Sequence, residues 1–186
     1  MPRENWFFAF PLDGSFLEAL PALPAGFRRY HADDVHLTLA FLGGCGEVAA
    51  LRALAVLDEM LQREAPSPLE VTLGEVSAMG SKRAYTALAA LLDDGRQPTE
   101  SLITALRDPL TDAAGGRRER RPAKAHVTLA RPRHRASDAQ RELGLAWAGS
   151  LDLRSVRARL DKVALYRWSE NRTQRLFRIV EQRTLG

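Results

Sequence analysis

Cysteine is nearly absent from this chain of 186 residues, which has one, Cys45. A single cysteine excludes an intramolecular disulfide, and no Cys or His residues at metal-ligand spacing surround it. No apolar run reaches membrane-spanning length, and the N-terminus lacks the basic, apolar and small-residue order of a secretory signal. We therefore expect a cytoplasmic protein with no metal, no cofactor and no membrane partner. Nothing in the composition indicates an obligate protein partner.

Lysine is also scarce, with three residues (Lys82, Lys124 and Lys162) among the 27 basic ones, so the net charge of +4 rests mainly on arginine. An arginine-rich surface suits a polyanionic partner, because the planar guanidinium is a good donor to phosphate. A genome biased towards arginine and alanine codons explains the same composition equally well. The densest basic segment, residues 115–122, runs directly into a strand-like segment. It either guides the phosphates of such a partner or is a solvated loop.

One tetrapeptide pattern occurs twice, as His36-Leu37-Thr38-Leu39 and as His126-Val127-Thr128-Leu129. We call these the first and the second motif. A β-strand sends residues i and i+2 to the same face. Each motif therefore predicts a strand with a histidine and a threonine on one face and two aliphatic side chains on the other.

The residue types of the two motifs fit acid–base chemistry on a phosphodiester. Imidazole titrates near neutrality, so two facing histidines can divide the general-acid and general-base roles without a metal. The hydroxyls of Thr38 and Thr128 are suited to donate to non-bridging phosphate oxygens. A single copy of the pattern would be weak evidence, whereas two copies use half of the four histidines and favour catalysis. We interpret His31 and His134, in polar segments, as bystanders.

The sequence resembles the two-histidine phosphoesterase superfamily from end to end, and in particular the bacterial RNA 2',3'-cyclic phosphodiesterases once described as 2'-5' RNA ligases. Two segments, DDVHLTLAFLGGCGEV and RPAKAHVTLARP, contain the motifs, and NWFFAFPLD and KVALYRWSENRTQRLFRIVEQR are similar to the family's opening strand and closing hairpin. The resemblance implies an α+β fold of two pseudo-symmetric lobes, each with an antiparallel sheet, around a central cleft with helices outside. We expect residues 1–186 to form one two-lobed domain.

The pattern of apolar residues agrees with this fold. Apolar runs of strand composition lie at 5–10, 35–42, 69–77, 84–91, 125–130, 151–166 and 175–181. Helical spacing of apolar residues predicts helices over Glu47–Arg63, Thr99–Ala113 and Ser137–Leu145, the last with a serine cap, and a short helix near Gly14–Leu20.

Three further residues are candidates for binding substrate. Strict alternation would turn Arg131 away from His126, but Pro132 interrupts regular pairing and would bring the guanidinium back towards a phosphate. The resemblance adds Arg83, for which a structural salt bridge is the competing explanation. Tyr166 shares a strand face with Trp168 and either stacks on a base or packs in the core. Phe7 and Phe41 are expected in the core.

The expected activity is metal-independent hydrolysis of RNA 2',3'-cyclic phosphate ends to 2'-phosphates. The resemblance implies that His36 is the proton donor and His126 the proton acceptor, whereas the tetrapeptides alone leave the two roles open. Alternatives are a phosphodiesterase for small nucleoside cyclic phosphates, a module that binds RNA ends without catalysis, and the reverse reaction, 2'-5' ligation. Dependence of activity on oligonucleotide length, and loss of activity with retained binding in His36→Ala, would separate them.

Overall fold

A computed structural model describes residues 4–81 and 84–186 of the chain. In these ranges nine strands form a curled antiparallel sheet in the order β7-β4-β5-β6-β3-β1-β8-β9, with β2 paired to β6. The strands are β1 (Trp6–Pro11), β2 (Phe27–Arg29), β3 (His36–Gly43), β4 (Leu69–Met79), β5 (Ala87–Leu92), β6 (His126–Pro132), β7 (Arg157–Leu160), β8 (Lys162–Trp168) and β9 (Phe177–Thr184).

Three α-helices accompany this sheet: α1 (Glu47–Glu64), α2 (Arg96–Ala113) and α3 (Asp138–Gly149). Ser137 caps α3 in a capping box with Gln140, as the sequence predicts. Gly144 lets α3 approach β2 closely, because a Cβ there would overlap the ring of Phe27. None of the described helices is both long and apolar enough to cross a bilayer.

The sheet divides into two equivalent halves, which confirms the expected α+β, two-lobed architecture. Strands β3, β1, β8 and β9 form one lobe, and β6, β5, β4 and β7 form the other. The lobes meet where β3 pairs with β6, through Leu37 and Val127. Both residues are fully buried, so the junction is part of the hydrophobic core. The first and second motifs therefore lie side by side at the centre of the molecule.

Two details of the sequence prediction are wrong. Residues 151–166 do not form one strand: β7 ends at Leu160 and β8 begins at Lys162, and the two strands pair with β4 and β1 in different lobes. Strand β2 is not marked by any apolar run, because two of its three residues are arginines. The three helices and the short helical turn at Ser15–Ala19 are confirmed.

Candidate active site

The pairing of β3 with β6 sets the two motifs against each other in a crossed arrangement. With Leu37 opposite Val127, the antiparallel register places His36 opposite Thr128 and Thr38 opposite His126. Side chains directly opposite each other in such a pair have Cβ atoms about 5 Å apart. Each histidine therefore lies beside the threonine of the other lobe, on one side of the sheet that we call the histidine face.

Both imidazoles are held in the same way by their own strands. The Nδ1 atom of His36 lies 2.7 Å from the carbonyl oxygen of Asp34, and Nδ1 of His126 lies 2.7 Å from that of Lys124. A carbonyl can only accept, so each Nδ1 carries a proton and donates it. The Nε2 atom of each ring is then the one that takes up or gives a proton in the cleft.

Irregularities in the two central strands bring the second residue after each motif onto the histidine face. Pairing of β3 with β1 skips Leu39, and pairing of β6 with β5 skips Leu129. An extra residue in one strand reverses the alternation beyond it. Phe41 and Arg131 consequently share the face of the histidines.

The structure changes the explanation for the position of Arg131 and overturns the expectation for Phe41. Arg131 reaches the histidine face because of the irregularity at Leu129, whereas Pro132 continues β6 and pairs with Phe27. Phe41 is 55% exposed and lines a cavity, so the expectation of a core position is wrong. Phe7 is in the core as expected.

His36 lies in a box of aromatic rings. The ring centroids of Phe7, Tyr166, Phe177 and Tyr30 are 5.0, 5.5, 5.1 and 6.4 Å from that of the imidazole. Burial in this box lowers the pKa of His36 to about 4, although the bond to the backbone at Asp34 opposes the change. Tyr166 is 2% exposed and stacks on Phe7, so its ring supports His36 and has no face open to a base.

His126 has a more open environment. Burial lowers its pKa below the usual value of 6.5 as well, and the charges of Lys124 and Arg131 lower it further. Beside it lies a cavity of about 630 Å³, bordered by Thr38, Phe41, α2 and residues 117–124. The arginine-rich loop therefore does adjoin the second motif. Two of its arginines are paired with acids, Arg118 with Asp112 and Arg121 with Glu119.

A buried carboxylate that the sequence interpretation missed joins the first motif to β9. Asp34 is 1% exposed and accepts bonds from the backbone N–H groups of Leu176 (2.8 Å) and Phe177 (3.3 Å) and from Nε of Arg175 (3.2 Å). Because its carbonyl also orients His36, Asp34 fixes both the imidazole and the Phe177 ring that packs against it.

Replacing Asp34 with asparagine should lower the free energy of unfolding by about 2 kcal/mol, since three donors would share one neutral acceptor. The matched control is Asp33→Asn, whose side chain is 63% exposed and forms a surface ion pair with Arg175. That change should cost about 0.5 kcal/mol or less. Urea unfolding of the three proteins measures both values, and equal losses in the two variants would contradict this account.

The low pKa of His36 also makes stability depend on pH. The unfolded chain takes up the proton near pH 6.5 and the folded protein near pH 4, so stability should fall as the pH drops through this window. Between pH 7.5 and 4.5 the contribution of His36 to this loss should be about 2 kcal/mol. Urea unfolding of wild type and His36→Gln at both pH values isolates this contribution. A difference in unfolding free energy between the two proteins that is the same at both pH values would contradict the prediction.

The other site residues expected from the sequence are placed as follows. Thr38 is half-buried, Thr128 is buried, and both lie on the histidine face. Arg131 donates from Nε to the hydroxyl of Tyr30 at 2.9 Å, and its charge lowers the pKa of both histidines. Arg83 lies outside the described residues. Within residues 4–81 and 84–186, no group of three His, Cys, Asp or Glu side chains is placed to hold a metal ion.

Two imidazoles, whose Nε2 atoms have no hydrogen-bond partner among the described residues, lie on one face of the sheet with a threonine beside each, which is the arrangement expected of a two-histidine phosphoesterase. The model of the 2'-5' RNA ligase superfamily matches residues 18–172. The chain belongs to that superfamily, so it is an enzyme of phosphoester chemistry.

Solved structures share the fold at low sequence identity. LigT of E. coli complexed with 3'-AMP superposes with a TM-score of 0.70 at 19% identity, over 98% of each chain. TT0787 of Thermus thermophilus gives 0.71 at 20% identity over 97% of each chain. Usb1 of Kluyveromyces marxianus gives 0.55 at 12% identity, over 88% of this chain and 93% of the other. No curated protein sequence matches this chain.

Proposed function

We propose that the protein hydrolyses the 2',3'-cyclic phosphate at the end of an RNA to a 2'-phosphomonoester, without a metal ion. The observation that carries the proposal is the pairing of Leu37 with Val127, because its antiparallel register sets His36 across from Thr128 and Thr38 across from His126. A phosphate between the strands would meet a proton-transfer group on each side and a hydroxyl donor on each side. That is the set of contacts an in-line displacement at phosphorus requires.

In the proposed reaction a water oxygen attacks phosphorus while Nε2 of His126 removes its proton. The bond from phosphorus to the ribose 3'-oxygen breaks, and Nε2 of His36 gives its proton to that oxygen. Thr38, Thr128 and Arg131 stabilise the charge on the non-bridging oxygens. The product carries a 2'-phosphate and a 3'-hydroxyl, and proton exchange with water restores both histidines.

The pKa of His36 fits the role of acid once substrate is bound. In the free protein, a pKa of about 4 leaves the imidazole neutral at pH 7. The phosphodiester brings a negative charge into a dry aromatic box, where an adjacent opposite charge raises the pKa of an imidazole. The same burial then makes the protonated ring ready to release its proton to the departing oxygen. We therefore expect substrate binding to raise the pKa of His36 towards the range in which the imidazole is protonated and acts as the acid.

The surroundings of His126 support a nucleic acid as substrate. The cavity of about 630 Å³ on this side is larger than an attacking water needs, and Arg117, Arg120 and Lys124 border it. Because each step is reversible, a 5'-hydroxyl end in this cavity could take the place of water, and the reaction would form a 2'-5' linkage. Hydrolysis should dominate where water is abundant.

The test is an assay in chelator with an RNA oligonucleotide that ends in a 2',3'-cyclic phosphate. The expected result is ring opening to a 2'-phosphate, resolved from the 3'-phosphate by chromatography. The same oligonucleotide with a 3'-phosphate end serves as the control and should remain unchanged. Turnover of adenosine 2',3'-cyclic phosphate at an equal kcat/KM would indicate a small-molecule phosphodiesterase, and tight binding without turnover would indicate a binding module.

A further inference from the structure

Three arginines gather on the His36 side of the cleft. In the pairing of β2 with β6, Arg28 lies directly opposite Arg131, so both point to the histidine face. Arg172, in the turn between β8 and β9, lies over the ring of Trp168 with its guanidinium carbon 3.9 Å from the ring centroid. Burial lowers the pKa of Arg172, and the nearby charges of Arg28 and Arg131 lower it further. The three cations are thus close enough to repel one another.

This arginine cluster (Arg28, Arg131 and Arg172) lacks matching carboxylates. Among the described residues none of its members forms a salt bridge, and Nε of Arg172 is buried without a hydrogen-bond partner. The nearby carboxylate of Asp34 already accepts from Arg175 and two backbone N–H groups. Crowded cations with an unused buried donor are costly unless an anion joins them.

The members of the cluster lie at different distances from the reacting centre. Arg131 lowers the pKa of both histidines, so its charge lies near the two groups between which the proposed reaction takes place. Arg28 and Tyr30 both influence the pKa of Arg172, and the Tyr30 ring lies 6.4 Å from that of His36. This places Arg28 and Arg172 on the side of His36. They lie farther from the reacting centre than Arg131, which is the arginine whose charge lowers the pKa of His36.

We propose that Arg28 and Arg172 bind a second phosphate of the substrate, the one attached to the 5'-oxygen of the ribose that carries the cyclic phosphate. The inference rests on the proposed function, in which His36 protonates the departing ribose oxygen and the ribose therefore lies on the side of His36. In RNA the next phosphate along the chain is attached to this same ribose. Stacking on Trp168 holds the Arg172 guanidinium so that its N–H edge remains available for phosphate oxygens.

This arrangement makes the enzyme select a terminal nucleotide that carries a 5'-phosphate over a bare nucleoside. An internucleotide diester and a 5'-monoester offer the same non-bridging oxygens, so both should satisfy the site. Selection would then require no recognition of the base. The enzyme would act at RNA ends of any sequence and leave nucleoside cyclic phosphates largely untouched.

Kinetics on three substrates tests the proposal: adenosine 2',3'-cyclic phosphate, its 5'-phosphorylated form, and the dinucleotide CpA with the same cyclic end. In wild type, kcat/KM should be at least about tenfold higher for both substrates with the second phosphate, one charge-assisted contact being worth about this factor. The double variant Arg28→Ala/Arg172→Ala should bring the three values within about threefold of one another, mainly by lowering the two values for the substrates with the second phosphate. The control, Arg178→Ala, removes an exposed arginine that β9 directs to the opposite face.

Binding measurements keep this inference separate from the proposed reaction. By calorimetry, adenosine 2',5'-bisphosphate should bind wild type at least about tenfold tighter than adenosine 2'-phosphate, and the double variant should bind the two equally. If no substrate is turned over but this difference holds, the proposed function fails and the second-phosphate site stands. If wild type binds adenosine 2',5'-bisphosphate and adenosine 2'-phosphate with nearly equal affinity, the proposal of a second-phosphate site is wrong. It is also wrong if the double variant keeps the preference for the bisphosphate while its thermal unfolding is normal. Arg28→Ala alone, which removes an exposed side chain, should already lose part of the preference.

Discussion

Alanine in place of either His36 or His126 should lower kcat for opening of the cyclic phosphate by about 10³-fold, which is the usual range for loss of a general acid or base. In the proposed reaction the two imidazoles act in one displacement, in which one removes a proton while the other supplies one. The double variant should therefore be little worse than either single variant, because removing one partner already disables the pair. Single-turnover measurements with RNA ending in a 2',3'-cyclic phosphate give these rates directly.

His134→Ala is the matched control, because His134 is exposed and lies just beyond the end of β6. It should keep the wild-type rate within about twofold. His36→Gln separates the loss of proton transfer from the loss of packing, because glutamine fills part of the aromatic box and has no group that titrates. Losses of less than about tenfold in both single variants, with unchanged unfolding, would show that the histidines only bind phosphate.

Replacing Arg131 with methionine should lower kcat/KM by about 10²-fold, the effect of removing one donor that stabilises developing charge. The change should also alter the pH dependence. The positive charge of Arg131 lowers the pKa of His36 and of His126, so its removal raises both. The alkaline limb of the kcat/KM profile, where the last catalytic proton is lost, should therefore move to higher pH.

The two readouts together identify the role of Arg131. A structural role, through its bond to Tyr30, would lower the rate without moving the limb. Arg133→Met is the control, because that exposed side chain lies past the end of β6. A pH profile that moves to lower pH, or remains in place while the rate falls, would contradict the placement of Arg131 beside both histidines.

The two motifs could be read from the sequence because period-two alternation fixes which side chains share a face. Alternation does not determine which residues on neighbouring strands face each other, so the crossed pairing of His36 with Thr128 needed the structure. The irregularities at Leu39 and Leu129 could not be read from the sequence either. An extra residue in a strand is recognised only by comparison with the neighbouring strand, in which it has no partner. Phe41 was therefore assigned to the wrong face.

Residues that act over long sequence separations were missed for a related reason. Asp34 precedes the first motif by two residues, but the donors it satisfies lie near residue 176, and no local pattern links them. Arg28 and Arg172 belong to no motif that distinguishes them from the other arginines of the sequence. Their significance comes from the absence of a salt bridge to either of them among the described residues, which only the folded arrangement reveals. The charged strand β2 likewise carried no hydrophobic signal.

The crossed pairing has a consequence for how the enzyme loses activity. Neither lobe alone holds a histidine together with the hydroxyl that faces it, because each pair takes one member from each half of the sheet. A fragment with one motif would keep its imidazole and lose the complementary donor. Catalytic activity should therefore require an intact junction between the two halves. On heating, activity should be lost when β3 separates from β6, even if each half still keeps its secondary structure.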